Sequence, residues 1–171
     1  MDKKVKDYFV DMVFKNIRII YKICHLYAKE SEKKDLQQEI IYQLWKSFPS
    51  FKGEAKFQTW MYRVALNTAL LGLRARNYKQ TELSDNEKQI PYLSYVNDEK
   101  NLQIQQLYHH ISKLNDIDKA IIFLYLEQYN YKEISEIMGI SIKNVSVRLV
   151  RIKKKLKIMF NNKKDIKYEK G

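Results

Sequence analysis

Apolar residues recur at intervals of three and four along almost every patterned stretch of this chain. Phe9, Val13, Ile17, Ile20, Cys24 and Tyr27 follow that rhythm, as do Leu36, Ile40, Leu44 and Phe48. It returns in Phe57, Trp60, Met61, Val64 and Ala65, then in Ile104, Leu107, Ile111 and Leu114, and in Ile117, Ala120, Ile121 and Leu124. A spacing of this kind lines one face of a helix. No stretch alternates with period two, so the expected fold is all-α. Four glycines and two prolines in 171 residues are too few turn residues for a sandwich or barrel. The single cysteine, Cys24, excludes an intrachain disulfide and any multi-cysteine zinc site, and its place on an apolar stripe makes it core.

The rhythm divides the chain. A first long helix carries the stripe from Phe9 to Tyr27. A second is expected to be capped by Asp35 and ended by Pro49, and 49–55 reads as a loop. A third helix runs from about 56 to 76, with a basic end at Arg74 and Arg76 and with Gly72 as a point where it ends or bends. Between about 78 and 100 the pattern is lost in polar, acidic sequence containing Pro91, which suits a flexible linker. Helical spacing then resumes, and the tail 161–171 is expected to fray. The expectation is two small helical domains, 1–78 and 104–171, joined by an acidic linker at 79–103.

Charge follows the same division. The net charge of +12 splits into +8 over 1–80, −4 over 81–118 and +8 over 119–171. Two basic blocks around an acidic stretch point to a polyanionic partner, nucleic acid before an anionic membrane surface. The longest clean apolar run, 120–126, is seven residues. That is far short of the ~20 a membrane span needs, and the opening MDKKVKDYF lacks the apolar run of a signal peptide. A cytoplasmic protein with no direct membrane insertion is expected.

The C-terminal pattern YKEISEIMGISIKNVSVRLVRIKKKLK reads as a helix-turn-helix. A short helix over 131–138 stops at Gly139, whose freedom at positive φ suits the turn. Ser135, four residues earlier, is small enough for a close crossing, and Ser141 is placed to cap the second helix. On that helix Val145, Leu149, Ile152, Leu156 and Met159 lie within about 80° of one another and form the buried stripe. Lys143, Val147, Val150 and Lys154 face the other way, flanked by Ser146 and Arg151. From 141 to 160 there are seven basic residues and no acidic one. Two valines on a face that should meet water fit thymine methyls, with Arg151 reaching a guanine edge or a phosphate. Lys153, Lys154, Lys155 and Lys157 then suit the DNA backbone.

Residues 35–76 carry D-L-x-Q-E (Asp35, Leu36, Gln38, Glu39), the pair Leu44-Trp45, F-x-G-E (Phe51, Gly53, Glu54), F-x-T-W-x-Y-R-x-A-x-N over 57–67, and Arg74 with Arg76. This block resembles the second conserved region of bacterial extracytoplasmic-function sigma factors. The stretch Y-x-E-I-x-E-x-x-G-I-S over 131–141, followed by Val145, Arg148-Leu149, Arg151 and Leu156, looks like the fourth region of the same family. The resemblance implies an alternative sigma factor that binds core RNA polymerase and directs promoter recognition, DNA melting and transcription initiation. Carried across by position, it implies polymerase contact at Asp35, Gln38 and Glu39. It implies −10 contact at Phe51, Lys52, Gly53, Glu54, Lys56 and Asn67. It implies −35 bases and backbone at Ser146, Val147, Val150 and Arg151, with Lys143, Asn144 and Arg148 near phosphate; Lys154 joins this −35 set from the helical wheel alone. Where the family often opens the recognition helix with Gly-Thr, this chain has Lys143-Asn144. The resemblance further implies an anti-sigma factor as partner and a linker able to enter a positively charged polymerase channel.

An enzyme is not expected. Asp35, Glu39 and Glu54 have no histidine nearby, since His25, His109 and His110 are scattered, and no metal-ligand spacing is recognisable. No cofactor, metal or small-molecule substrate is expected. His109 and His110 read as surface residues, and Trp45 and Trp60 as core. The rival reading is a helix-turn-helix regulator that binds duplex operators without sigma activity. A dimeric regulator of that kind reads a palindrome, whereas two dissimilar basic domains suit an asymmetric, bipartite site.

Overall fold

The computed structural model describes residues 3–80 and 99–168, and of residues 76–80, 99–103, 105 and 162–168 the backbone only. The acidic linker expected at 79–103 therefore falls largely outside the described residues. Every regular element among the described residues is helical, and the chain divides into two compact units, Met1–Pro91 and Tyr92–Gly171.

In the first unit, α1 (Lys3–Lys15) and α2 (Ile17–Tyr27) replace the single long helix expected from the stripe. The break falls at Asn16, whose side-chain amide donates to the Met12 carbonyl at 2.8 Å. An asparagine that satisfies the backbone with its own side chain competes with the helix ladder. The stripe survives the break: Phe9, Val13, Ile20, Cys24 and Tyr27 are buried, and Ile19 and Ile23 join them.

Next, α3 (Lys33–Ser47) begins two residues before Asp35. Asp35 is therefore not the cap but lies in the first turn, where its charge suits the helix dipole. A 3-10 turn over Phe48–Ser50, with Pro49 at its start, leads into the loop. Then α4 (Phe57–Gln80) runs through Gly72 without ending there and extends past the expected boundary. It packs against α2 and α3, and its Met61, Ala65 and Ala69 are fully buried. The two alanines let neighbouring helices approach closely. Ile20, Ile23, Ile40, Leu44, Met61 and Leu66 are the largest fully buried side chains of this unit, each worth about 1.5–3 kcal/mol of burial.

The second unit holds α5 (Glu99–Ser112), α6 (Asp116–Leu126), α7 (Tyr131–Met138) and α8 (Ile142–Tyr168). Asn115 caps α6 by accepting the Asp118 N–H at 2.9 Å. The helix is apolar around its whole circumference from Ala120 to Leu124, and all five residues are buried. Such a helix belongs at the centre, and α6 packs against α5, α7 and α8. His110 is not at the surface as expected. It is 2% exposed and packs edge-on to Phe160, with ring centroids 4.6 Å apart. The final helix continues to Tyr168, through most of the tail expected to fray.

Candidate nucleic-acid interface

The helix-turn-helix is built from local chemistry. Asn130 accepts the Glu133 N–H at 2.9 Å, and the Glu133 carboxylate accepts the Asn130 N–H at 3.1 Å. This reciprocal box starts α7 where the sequence places it. Ile134 and Ile137 point into the core. At the other end Gly139 adopts φ +66°, its N–H donates to the Ser135 carbonyl at 2.9 Å, and the Ser135 hydroxyl donates to the Ile140 carbonyl. Ser141 then caps α8, accepting the Asn144 N–H at 3.2 Å.

On α8 the buried stripe is the expected one. Val145, Leu149, Ile152 and Leu156 are buried, and Met159 is half-buried. The opposite face is open. Lys143, Asn144, Arg151 and Lys154 are exposed, and Ser146 is half-buried. Val147 is 41% exposed and Val150 65% exposed, so these two valines spend nothing on the core. Apolar side chains among cations, on a helix narrow enough for a major groove, can meet thymine methyls while the cations meet phosphate.

Among the described side chains of this helix, two cations have partners inside the protein. Arg148 is half-buried, and its Nη1 donates to Asp118 Oδ1 at 2.8 Å. Its Nε donates to Asn144 Oδ1 at 3.2 Å. Lys153 Nζ sits 3.9 Å from the centre of the Tyr125 ring, a cation–π contact.

In the first unit Asp35, Gln38 and Glu39 share an exposed surface of α3, and Glu39 accepts from Gln43 Nε2 at 2.8 Å. The loop that follows has two sides. Phe51 turns inward: its ring lies 5.1 Å from Trp60, 5.5 Å from Phe57 and 6.3 Å from Phe48. Phe9 meets Phe48 and Trp45 edge-on, each at 5.0 Å. Trp45 and Trp60 are half-buried in this aromatic cluster rather than fully enclosed. Lys52, Gly53, Glu54 and Lys56 face outward, and Gly53 holds φ +75°, a conformation that favours glycine. Asn67 is exposed on α4.

Sequence reasoning missed the neighbours of Asn67. Arg63, Asn67, Leu71 and Arg74 follow at spacings of four, four and three along α4, and all are exposed, Leu71 by 62%. The spacing itself was the available signal, since one helix face carries all four. The stripe places two guanidinium groups and one apolar side chain on the same helix face as Asn67.

Two family profiles match the chain: Sigma-70 region 2 over residues 12–78, and Sigma-70, region 4 over residues 104–156. The chain belongs to the sigma-70 family, among its extracytoplasmic-function members. It is an alternative sigma factor, a class of protein that is not enzymatic in general. The RNA polymerase sigma factor YlaC of Bacillus subtilis is 30% identical over 130 residues, covering 72% of this chain and 75% of that one. The ECF RNA polymerase sigma factor SigW of the same organism is 29% identical over 162 residues, 85% of each chain. Among solved structures, the sigma factor RpoE in complex with the anti-sigma factor NepR from Bartonella quintana superposes with a TM-score of 0.73. It is 17% identical and covers 91% of this chain and 98% of that one, a likeness of fold. No helix among the described residues of this sigma factor is long and apolar enough to cross a membrane.

Proposed function

We propose that this sigma factor divides its work between its units as follows. The first, 1–78, docks on core RNA polymerase through Asp35, Gln38 and Glu39. It opens and holds the −10 element with Lys52, Gly53, Glu54, Lys56 and Asn67, and Phe51 anchors that loop from behind. The second, 104–171, reads the −35 element with Ser146, Val147, Val150 and Arg151, while Lys143, Asn144 and Lys154 meet phosphate. The acidic segment 79–103 joins them as a linker and suits a positively charged polymerase channel. The observation that carries this reading is the open face of α8, where Val147 and Val150 lie exposed among cations and opposite the buried stripe of Val145, Leu149, Ile152 and Leu156.

The chain acts by binding rather than by catalysis and works in the cytoplasm with the polymerase. An anti-sigma factor is its regulatory partner, a reading supported by the complex that the structural relative RpoE forms with the anti-sigma factor NepR. The deciding experiment is in vitro transcription with core polymerase alone and with core plus this protein, on genomic fragments of the source cell. Specific transcripts that appear only with the protein support the reading. Duplex binding without any new transcript refutes it.

A further inference from the structure

Arg148 lies at the border of the buried stripe of α8, one turn after Asn144. Its partner, Asp118, is thirty residues away, in the first turn of α6. Both oxygens of that carboxylate are in use: Oδ1 takes Arg148 Nη1 at 2.8 Å, and Oδ2 takes the Asn115 amide at 2.6 Å. On the other side, Arg148 Nε donates to Asn144 Oδ1, and the Asn144 N–H donates to Ser141 Oγ, each at 3.2 Å. The polar line Asn115–Asp118–Arg148–Asn144–Ser141 thus ties the start of α6 to the start of α8.

We propose that this line is a brace that sets the roll of the recognition helix, with Asp118 and Arg148 as positioning residues and not phosphate contacts. The proposal rests on α8 being the −35 reader. The apolar stripe beneath α8 is held by a non-directional force, so it resists separation better than rotation. A charge-assisted hydrogen bond is directional. The pair is also partly sheltered, with side-chain exposures of 34% for Arg148 and 20% for Asp118, so salt screens it less than a fully exposed pair. A guanidinium drawn off to a phosphate would leave the half-buried Asp118 carboxylate without its cation, held by the Asn115 amide alone.

The brace also orients Asn144. Its Oδ1 faces the Arg148 Nε–H, because the reversed amide sets two donors against each other. The NH2 group is thereby turned away from Arg148. Asn144 then donates to DNA phosphate in the place assigned to Arg148 by family position.

The test uses holoenzyme carrying wild-type chain, Arg148→Gln, Asp118→Asn or both. The probe is a promoter duplex recovered by wild-type holoenzyme from a library randomised at −35, alongside the same duplex scrambled there. Affinity is measured across a salt series. Each single variant is expected to lower the ratio of specific to scrambled binding about tenfold, the double no further, and Arg148→Gln to leave the salt slope unchanged. A slope reduced by about one, as loss of a phosphate contact requires, overturns the proposal. So does Asp118→Asn tightening both duplexes, as a released guanidinium would. The swap Asp118→Arg with Arg148→Asp guards against variants that merely fold poorly. Partial recovery of the ratio supports the brace, because an aspartate facing phosphate cannot produce it, and a carboxylate at 148 restores the tie to α6 but not the donor that orients Asn144; no recovery overturns it. If wild-type holoenzyme selects no −35 sequence, the reading of α8 fails. If it does select one and the variants discriminate equally well, only the brace fails.

Discussion

Replacing Gly139 with alanine should weaken the C-terminal unit and leave the N-terminal one untouched. Gly139 sits at φ +66° and ψ 33°, in the left-handed region. An L-residue there costs roughly 1–2 kcal/mol. A Cβ added at Gly139 meets no atom within 4 Å, so no clash adds to that cost. Alanine also restricts the unfolded chain, which returns about 0.4–1 kcal/mol. The net loss is about 1 kcal/mol. For a unit of 80 residues that lowers Tm by about 4–8 °C. Gln128 reverses the argument: it holds φ +66° without being glycine, so Gln128→Gly should raise the same transition, by less. The assay separates the units, because both tryptophans, Trp45 and Trp60, lie in the first. Tryptophan fluorescence therefore reports the N-terminal unit alone, while far-ultraviolet circular dichroism reports both. A circular-dichroism transition that moves by less than about 2 °C refutes the reasoning. So does a fluorescence transition that moves together with it.

Arg151→Ala should cost about 1–3 kcal/mol of discrimination between promoters with intact and scrambled −35 elements; equal loss on both makes Arg151 a backbone contact. Asp35→Ala with Glu39→Ala should abolish binding to core polymerase with helicity unchanged, since Asp35 is not the cap and its dipole contribution is about 0.3–1 kcal/mol; unchanged affinity for core refutes the docking face. Phe51→Ala should slow promoter opening, read by permanganate reactivity at −10, while initial promoter binding persists, because the ring that seats the loop against Phe57 and Trp60 is gone. Burial, opposed by Lys33, pushes the Cys24 thiol up from 9.0 to about 11. Because the folded value is the higher one, the proton-linked stability is fully present below pH 9 and is lost as pH rises towards 11. The loss is about 2–3 kcal/mol, and Cys24→Ala should remove that part of the alkaline decline in denaturant titrations.

The features that the residue pattern announces correctly are those set within about four residues along the chain. The stripe Val145, Leu149, Ile152 and Leu156 follows from the helical period alone, and it leaves Val147 and Val150 outside. Gly139 and Ser141 announce the turn because positive φ and an N-cap are local demands. The exposed acidic face of α3 is readable for the same reason. Other features depend on what lies opposite a side chain once the helices pack. Arg148 looks like any other cation of its helix until α6 brings Asp118 against it from thirty residues away. His110 becomes core because Phe160 closes over it, and Phe51 becomes an anchor because Phe48, Phe57 and Trp60 converge behind the loop. Asn16 interrupts a continuous stripe, since a single side-chain hydrogen bond to Met12 outweighs a periodicity that carries on unchanged across the break. Helical period and caps are properties of neighbours in sequence, whereas the partner of a polar or aromatic side chain is a property of neighbours in space, and those are chosen only when the cores close.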